Sequence, residues 1–535
     1  MTTVNTLYFI GCGSPEQRAS QQETATAQNM GFKAYNLLRM ADLGLPVPAA
    51  FVLGTAWCAD EVHREQACHI DTWGPGLSAL QSRLGQTLGD PRRPLLLSVR
   101  SGAPVSMPGM METLLNIGLC DATVPGFLRQ TGNPRLVWDS YRRLVATYGE
   151  VVAGLDARVF ESETEAVAAG RDERSLDFAD LRDLTHRYLA VYEQHAGCLF
   201  PQDPHQQLAQ AIQAVMASWQ SAKACEYRRV NHLSDSIGTA VTVQTMVFGN
   251  AGGRSGAGVG FTRDPATGEP RLWVDFLFNA QGEDVVSGRR SAHGSDELAS
   301  VLPATWQALQ SATQQLEHAL TDMQDIEFTV QEGQLYMLQT RNGKRTPQAA
   351  ARIALDMWDE GLITPEVALD RTAGLDAGAL TSSRIVSPEG QPLNPLAHAA
   401  TACNGVAIGE TVLDAERAKA RQAQGAACIL VRRDAETSDI TALEAAQGLL
   451  TQRGARTSHA AVVARQLGKV CLVGCGEMHV DETQRSIRIG DTELHEGDTI
   501  TLDGNEGAIY QGAVRTVQDA PEEILARLSR LSAAV

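Results

Sequence analysis

A histidine, a pair of carboxylates, a few cations and a glycine tract are the residues most able to do phosphorus chemistry. His459 follows Gly454-Ala-Arg-Thr-Ser and opens an alanine- and valine-rich stretch. Its imidazole is uncharged for much of the time near pH 7 and is a competent nucleophile. Thr457 or Ser458 is a good N-cap, and residues 460–467 contain strong helix formers. His459 is therefore expected in a first helical turn, where a phosphoryl group on the ring would meet free backbone N–H groups and the positive end of the helix dipole. Taken alone, a capping-turn histidine without chemistry has the same sequence.

Asp325-Ile-Glu327-Phe-Thr329-Val330 reads as a strand. Side chains alternate across a strand, so Asp325 and Glu327 share one face while Ile326, Phe328 and Val330 face a core. Two carboxylates side by side repel unless a cation lies near them, and a Mg²⁺ ion carrying phosphate oxygens meets that need. A hairpin through Glu332-Gly333 would bring the following strand alongside, with Gln339 and Arg341 on one face by the same period. An ordinary solvated strand face also fits this spacing. Lys33 and Arg100 each stand near a glycine-containing turn. Either could clamp a phosphate, arginine bidentately and lysine as a point charge.

The glycine tract runs from Gly249 to Gly260 and includes Gly252, Gly253, Ser255, Gly256 and Gly258. Its amides could approach a phosphate closely, and a mobile hairpin tip without ligand is the plainer alternative. The motif G-x-x-x-x-G-K-[ST] is absent, which disfavours a P-loop fold.

These residues need elements to hold them. Residues 95–100 are expected to form a buried strand ending in a turn at Ser101-Gly102. Residues 120–230 are helix-rich, with apolar positions at helical spacing in 181–192 and 208–219. Strands are expected at 239–248, 325–330 and 334–341, and a helix at 347–360. A second compact unit, 400–515, has short strands at 428–431, 448–450, 470–473 and 499–502, and an amphipathic helix follows at 521–534.

The chain has 535 residues, of which 43% are hydrophobic and 20% charged, enough for several globular domains. With 45 basic against 63 acidic side chains the net charge is −18, the wrong sign for a nucleic-acid coat. No apolar stretch approaches transmembrane length, no secretory signal is read, and the 10 cysteines are scattered. A reduced, cytoplasmic protein that binds neither nucleic acid nor membrane is expected.

Taken together, six stretches resemble the pyruvate, phosphate dikinase family over residues 30–515: LSVRSGAPVSMPGMMET (97–113), VQTMVFGN (243–250), NAQGEDVV (279–286), MQDIEFT (323–329), LQTRNGKRT (338–346) and TSHAAVVAR (457–465). The resemblance implies a mixed α+β and α/β multidomain chain. Residues 1–115 would be the N-terminal part of an ATP-grasp domain, 116–200 a helical insertion and 201–344 the C-terminal part. A linker would follow at 345–395, then a swivelling β/β/α phosphohistidine domain at 396–515 and a terminal helix at 516–535.

By the same resemblance, His459 takes a pyrophosphoryl group from ATP and releases AMP. Inorganic phosphate removes the outer phosphoryl as pyrophosphate, and the phosphohistidine swings to a barrel that binds pyruvate or phosphoenolpyruvate. Lys33, Arg100 and Arg341 would hold phosphates. Glu327 and Gln339 would hold Mg²⁺ with Asp325 in support. Gln244, Thr245, Met246 and Val247 would line the adenine pocket, and Gly252–Gly258 would form a lid.

The sequence departs from the family pattern in two places: Ala257 stands where the lid usually has threonine, and Arg456 brings an extra cation close to His459. About 20 residues follow position 515, against roughly 250 for a (β/α)₈ barrel. The acceptor site is therefore expected on a separate barrel protein, and a homodimer is left open. A dikinase with another small-molecule acceptor, or a nucleotide-sensing phosphocarrier without turnover, are the alternatives.

Overall fold

The computed structural model describes residues 7–105, 107, 111–286, 295–387, 393–434, 439–454, 456 and 459–534. The expected cap residues Thr457 and Ser458, and the proline-containing stretch 388–392, lie outside them. The chain divides into two compact bodies, Met1–Ala251 with Tyr336–Gln339, and Gly252–Leu335 with Thr340–Val535.

The first body is built on a sheet of strands β1 (Leu7–Ile10), β2 (Ala50–Leu53), β3 (Leu97–Gly102), β4 (Thr113–Ile117) and β5 (Ala240–Thr245), in the order β1-β2-β5-β3-β4. All neighbours run antiparallel. β3 runs on through Ser101 and Gly102, where a turn was expected. These two residues pair with Val241 and Ala240, and the Gly102 N–H donates to Thr239 Oγ1 at 3.2 Å.

The long helices follow their sequence signals. Helix α1 (Phe32–Asp42) borders the sheet. α2 (Pro134–Val151), α3 (Phe178–Ala196) and α4 (Pro204–Ala217) begin at Asn133, Asp177 and Asp203, whose side chains accept from first-turn N–H groups. Proline at the first helical position of α2 and α4 loses no hydrogen bond there.

The expected grouping of 201–344 as one subdomain is corrected by β5. This strand sits between β2 and β3, so residues up to 251 belong with the first body. β5 is buried over most of its length. Its partners are remote in sequence, and apolar alternation does not say which partners a buried strand takes.

Asn250, at the end of this segment, donates to Asp139 Oδ2 on α2 at 3.0 Å. Burial opposes ionisation of Asp139, but Arg143 and Arg142 outweigh it and lower its pKa to about 2. A folded pKa below the unfolded value stabilises the protein above about pH 4, and that contribution is lost as pH falls through about 2. Asp139→Asn is therefore expected to cost about 2 kcal/mol at pH 7. Urea midpoints of variant and wild type should converge as pH falls from about 4 to about 2; a gap independent of pH would refute this account.

The second body starts with a sheet of β6 (Gly256–Phe261), β7 (Trp273–Phe278), β8 (Gln324–Gln331) and β9 (Gln334–Asn342), ordered β7-β6-β8-β9. Helices α5 (Pro303–Leu320) and α6 (Pro347–Asp359) flank it. Arg263, buried just past β6, ties the sheet to both neighbouring helical segments through Glu317 at 2.8 Å, Glu360 at 3.1 Å and Asp356 at 3.4 Å.

Residues 345–395 are not the expected linker. α6 and the short helices after it share an apolar cluster with Phe261, Met323 and the terminal helix, which contributes Ile524 and Leu531. Arg527 on that helix bonds Asp356 at 2.8 Å and Asp359 at 2.7 Å. The terminal helix thus packs on the segment that was expected to be a linker. Strands β10 (Ser382–Ile385) and, at the far end, Thr516–Asp519 pair antiparallel, so the outgoing and returning chains form one two-stranded ribbon.

Between them lies an eight-stranded sheet. It comprises β11 (Ala397–His398), β12 (Ala400–Cys403), β13 (Val406–Val412), β14 (Cys428–Arg432), β15 (Gly448–Thr451), β16 (Val470–Val473), Thr499–Asp503 and Ala508–Gln511. β13 to β16 are consecutive parallel neighbours. One apolar cluster of this unit takes in the three-stranded meander 478–495, and a second takes in Ala461 and Ala464 of helix α7 (His459–Gln466). Among the described residues, no helix is long and apolar enough to cross a membrane.

Candidate functional site

In the first body, Lys33 lies in the first turn of α1 and Arg100 on β3. One close approach joins the two elements. Gly31, just before α1, has φ +75° and ψ 152°, and a Cβ there would overlap the Gly102 carbonyl oxygen. Phe32 N–H donates to the Ala103 carbonyl at 2.9 Å. Both predicted phosphate-holding cations are thus carried at one end of β3. Arg100 is the one half-exposed position in a strand otherwise buried.

The adenine-pocket assignment changes at one residue. Gln244 is buried, and its Nε2 donates to the Pro48 carbonyl at 3.0 Å, so its amide already serves the sheet. Thr245, Met246 and Val247 are half-buried at the end of β5. Gln339, also buried, lies on β9.

In the second body, register places a reactive set on one sheet face. Phe261 on β6 stands opposite Trp273 on one side and Asp325 on the other; Val259 stands opposite Asp275 and Glu327. Directly opposed residues, and residues two apart, share a face. Trp273, Asp275, Asp325 and Glu327 therefore all emerge on the same side.

Arg341 Nε donates to Asp325 Oδ2 at 2.8 Å. Burial pushes the Asp325 carboxyl above its usual range, with Arg341 pulling against it. Burial works against charge on Arg341 too, but Asp325 and Glu327 outweigh that and raise it. The opposite face explains two glycines. Phe276 and Phe328 stack 5.8 Å apart, and a Cβ at Gly256 or Gly258 would overlap one of these rings.

The residues expected in the lid divide between a strand and a short loop. Gly256 and Gly258 are buried strand residues, as is Ala257, the position that departs from the family pattern. Ser255 is buried, and its Oγ accepts from Glu332 N–H at 2.9 Å. The loop proper is short; within it, Gly252 and Gly253 have open space around them.

α7 begins at His459, so the nucleophile candidate does open a helix. Two arginines on this unit reach the sheet face carrying Trp273. Arg456 bonds Asp275 Oδ1 through Nη2 at 2.9 Å and Nε at 3.1 Å, with its guanidinium 4.0 Å from the Trp273 ring centroid. Arg465, on α7, is 1% exposed and lies 5.2 Å from the Phe261 centroid. Its Nε and Nη2 donate to the Ala402 carbonyl, and its Nη1 has no hydrogen-bond partner among the described residues. Burial pushes its pKa below the usual guanidinium value.

Sequence reasoning did not single out Asp275 and Trp273. An aspartate inside the apolar run WVDFLF was the available signal. Burial pushes the Cys12, Cys68 and Cys475 thiols up to about 11, which leaves little thiolate on these three at neutral pH.

Asp325 and Glu327 form a hard-oxygen pair on one strand face, next to a guanidinium. Among the described residues no group of three or more His, Cys, Asp or Glu is gathered as for a metal cage. Mg²⁺ uses one or two carboxylates and takes its remaining ligands from water and phosphates, so the pair fits that ion.

Residues 76–299 and 292–362 match the family model "Pyruvate phosphate dikinase, AMP/ATP-binding domain", and residues 425–507 match "PEP-utilising enzyme, mobile domain". Curated relatives include pyruvate, phosphate dikinase of Clostridium symbiosum, 41% identical over 93% of this chain and 58% of the relative. The chloroplastic pyruvate, phosphate dikinase of Flaveria pringlei and pyruvate, phosphate dikinase 1 of Zea mays are each 41% identical over 96% of this chain and 54% of the relative. The chain thus spans a little over half the length of these relatives. The first model alone covers more than half of the residues, and the chain belongs to the pyruvate phosphate dikinase AMP/ATP-binding family, with the mobile domain of the PEP-utilising enzymes following it.

Proposed function

We propose that this chain is the ATP-dependent, histidine-phosphorylating portion of a pyruvate, phosphate dikinase-type phosphotransferase. The observation that carries the reading is the opening of α7 at His459 in the body that also holds Asp325, Glu327 and Arg341 on one sheet face. The His459 imidazole bonds to the β-phosphorus of ATP, the bond from that phosphorus to the α-phosphate oxygen breaks, and AMP leaves. Inorganic phosphate then attacks the outer phosphorus; pyrophosphate leaves and one phosphoryl group stays on the ring.

Lys33, Arg100 and Arg341 are assigned to phosphate oxygens. Asp325 and Glu327 would hold Mg²⁺, which neutralises phosphate charge when bound. Such positioning and charge compensation do most of the catalysis in phosphoryl transfer. The names of the relatives supply pyruvate as the final acceptor, and we place that step on the part of their length this chain does not share.

Incubation with ATP labelled at the β or γ position tests the reading. Acid-labile label from β-labelled ATP, AMP release and phosphate-dependent pyrophosphate formation are expected. AMP and inorganic phosphate without pyrophosphate would point to a dikinase of the water-using type. Tight ATP binding with no AMP would leave only a nucleotide sensor. Adding a pyruvate-binding barrel protein in trans tests whether a separate partner discharges the phosphoenzyme.

A further inference from the structure

We infer that Arg456 is a positioning residue. It is a charged latch that ties the unit of residues 397–509, at Arg456, to the β6–β9 sheet, and its strength sets how much of the protein stands ready for the ATP step. The inference rests on the proposed phosphohistidine role and adds a control on it.

Arg456 lies three residues before His459. Its guanidinium makes two hydrogen bonds to Asp275 Oδ1 and a third, at 3.3 Å, to the Val274 carbonyl. It also stacks 4.0 Å from the centroid of the Trp273 ring. Arg465 braces the latch from behind, since its Nη2 donates to the Arg456 carbonyl at 3.3 Å while the same guanidinium holds Ala402. The arginine end of the contact is therefore held by its own unit.

The contact is also built to release. Asp275 has 4% of its side chain exposed and Arg456 25%. Charges removed from water lose hydration, which offsets much of their attraction, and water restores it when they part. Among the described residues, the two apolar clusters of residues 397–509 include no side chain from the β6–β9 sheet. The contact described at His459's end of the unit is ionic and aromatic: Arg456 meets Asp275 and Trp273, and the buried Arg465 lies 5.2 Å from the Phe261 centroid and 5.6 Å from that of Trp273. A planar guanidinium suits such a site better than an ammonium, because it can bond a carboxylate twice and stack on an indole at once.

The test pairs an activity-independent readout with a partial reaction. Small-angle scattering of the full chain at low and high salt reads seating. Single-turnover AMP release and equilibrium ATP binding read its consequence. Arg456→Ala and Asp275→Asn are expected to raise the radius of gyration and slow AMP release about tenfold with ATP affinity unchanged. Arg456→Lys should fall between, and the double variant should be no slower than either single one. Raising salt should bring wild type toward Arg456→Ala.

Unchanged scattering and unchanged AMP release in Arg456→Ala would overturn the latch. If a variant melts early, the salt titration of wild type and Arg456→Lys decide the matter. If wild type forms no AMP at all, the proposed function fails, and the scattering arm still decides whether Arg456 latches the unit.

Discussion

His459→Ala is expected to lose acid-labile phosphorylation by ATP completely, a fall of at least about 10⁴-fold in AMP-forming turnover. The size follows from the kind of group removed. Lys33, Arg100 and Arg341 are each assigned to hold charge that several other groups also hold. The nucleophile is a single atom in this reading: without the imidazole the assigned acceptor of phosphorus is gone, and the buried thiols of Cys12 and Cys475 are raised to about 11. ATP binding should survive, because none of the groups assigned to the nucleotide is touched. The measurement is label retention after alkaline denaturation, beside equilibrium ATP binding and a melting curve. Label on the variant equal to wild type, at another site, would sink the assignment of the nucleophile.

The second large effect is on folding. Gly31→Ala is expected to destabilise the first body by about 3–5 kcal/mol, enough to leave much of the protein unfolded. Two causes add. At φ +75° and ψ 152° the backbone lies in a region essentially reserved for glycine. A Cβ there would also overlap the Gly102 carbonyl oxygen, which is backbone within a paired strand and cannot step aside. Gly44→Ala is the control: its φ is +77°, yet nothing lies within 4 Å of an added Cβ. It has a positive φ without a close neighbour, so its loss should be clearly smaller. Equal urea midpoints for the two variants would overturn the expectation of a larger loss at Gly31. A Gly31→Ala protein that still folds should bind ATP more weakly, since α1 carries Lys33.

Particular elements mark how far the sequence could be read. The capped helices near 181–192 and 208–219 were legible because N-caps, first-turn prolines and apolar spacing all act within a few residues. So were the strand with Asp325 and Glu327 on one face, and His459 at a helix start, since a strand alternates and a helix repeats whatever surrounds it. The body to which β5 belongs was not legible, nor was the role of residues 345–395. Both depend on partners more than a hundred residues away.

The site divides in the same way. Residue type and short-range period determined the candidates themselves: one imidazole, two carboxylates on a strand, and cations beside glycine turns. Tertiary structure alone decided that Gly256 and Gly258 lie in a buried strand and make room for Phe276 and Phe328. It likewise turned Gln244 inward to Pro48 and set Asp275 and Trp273 against Arg456. Backbone periodicity is local and repeats along the chain. Which distant side chain fills a gap, or neutralises a buried charge, is settled only when the sheets close.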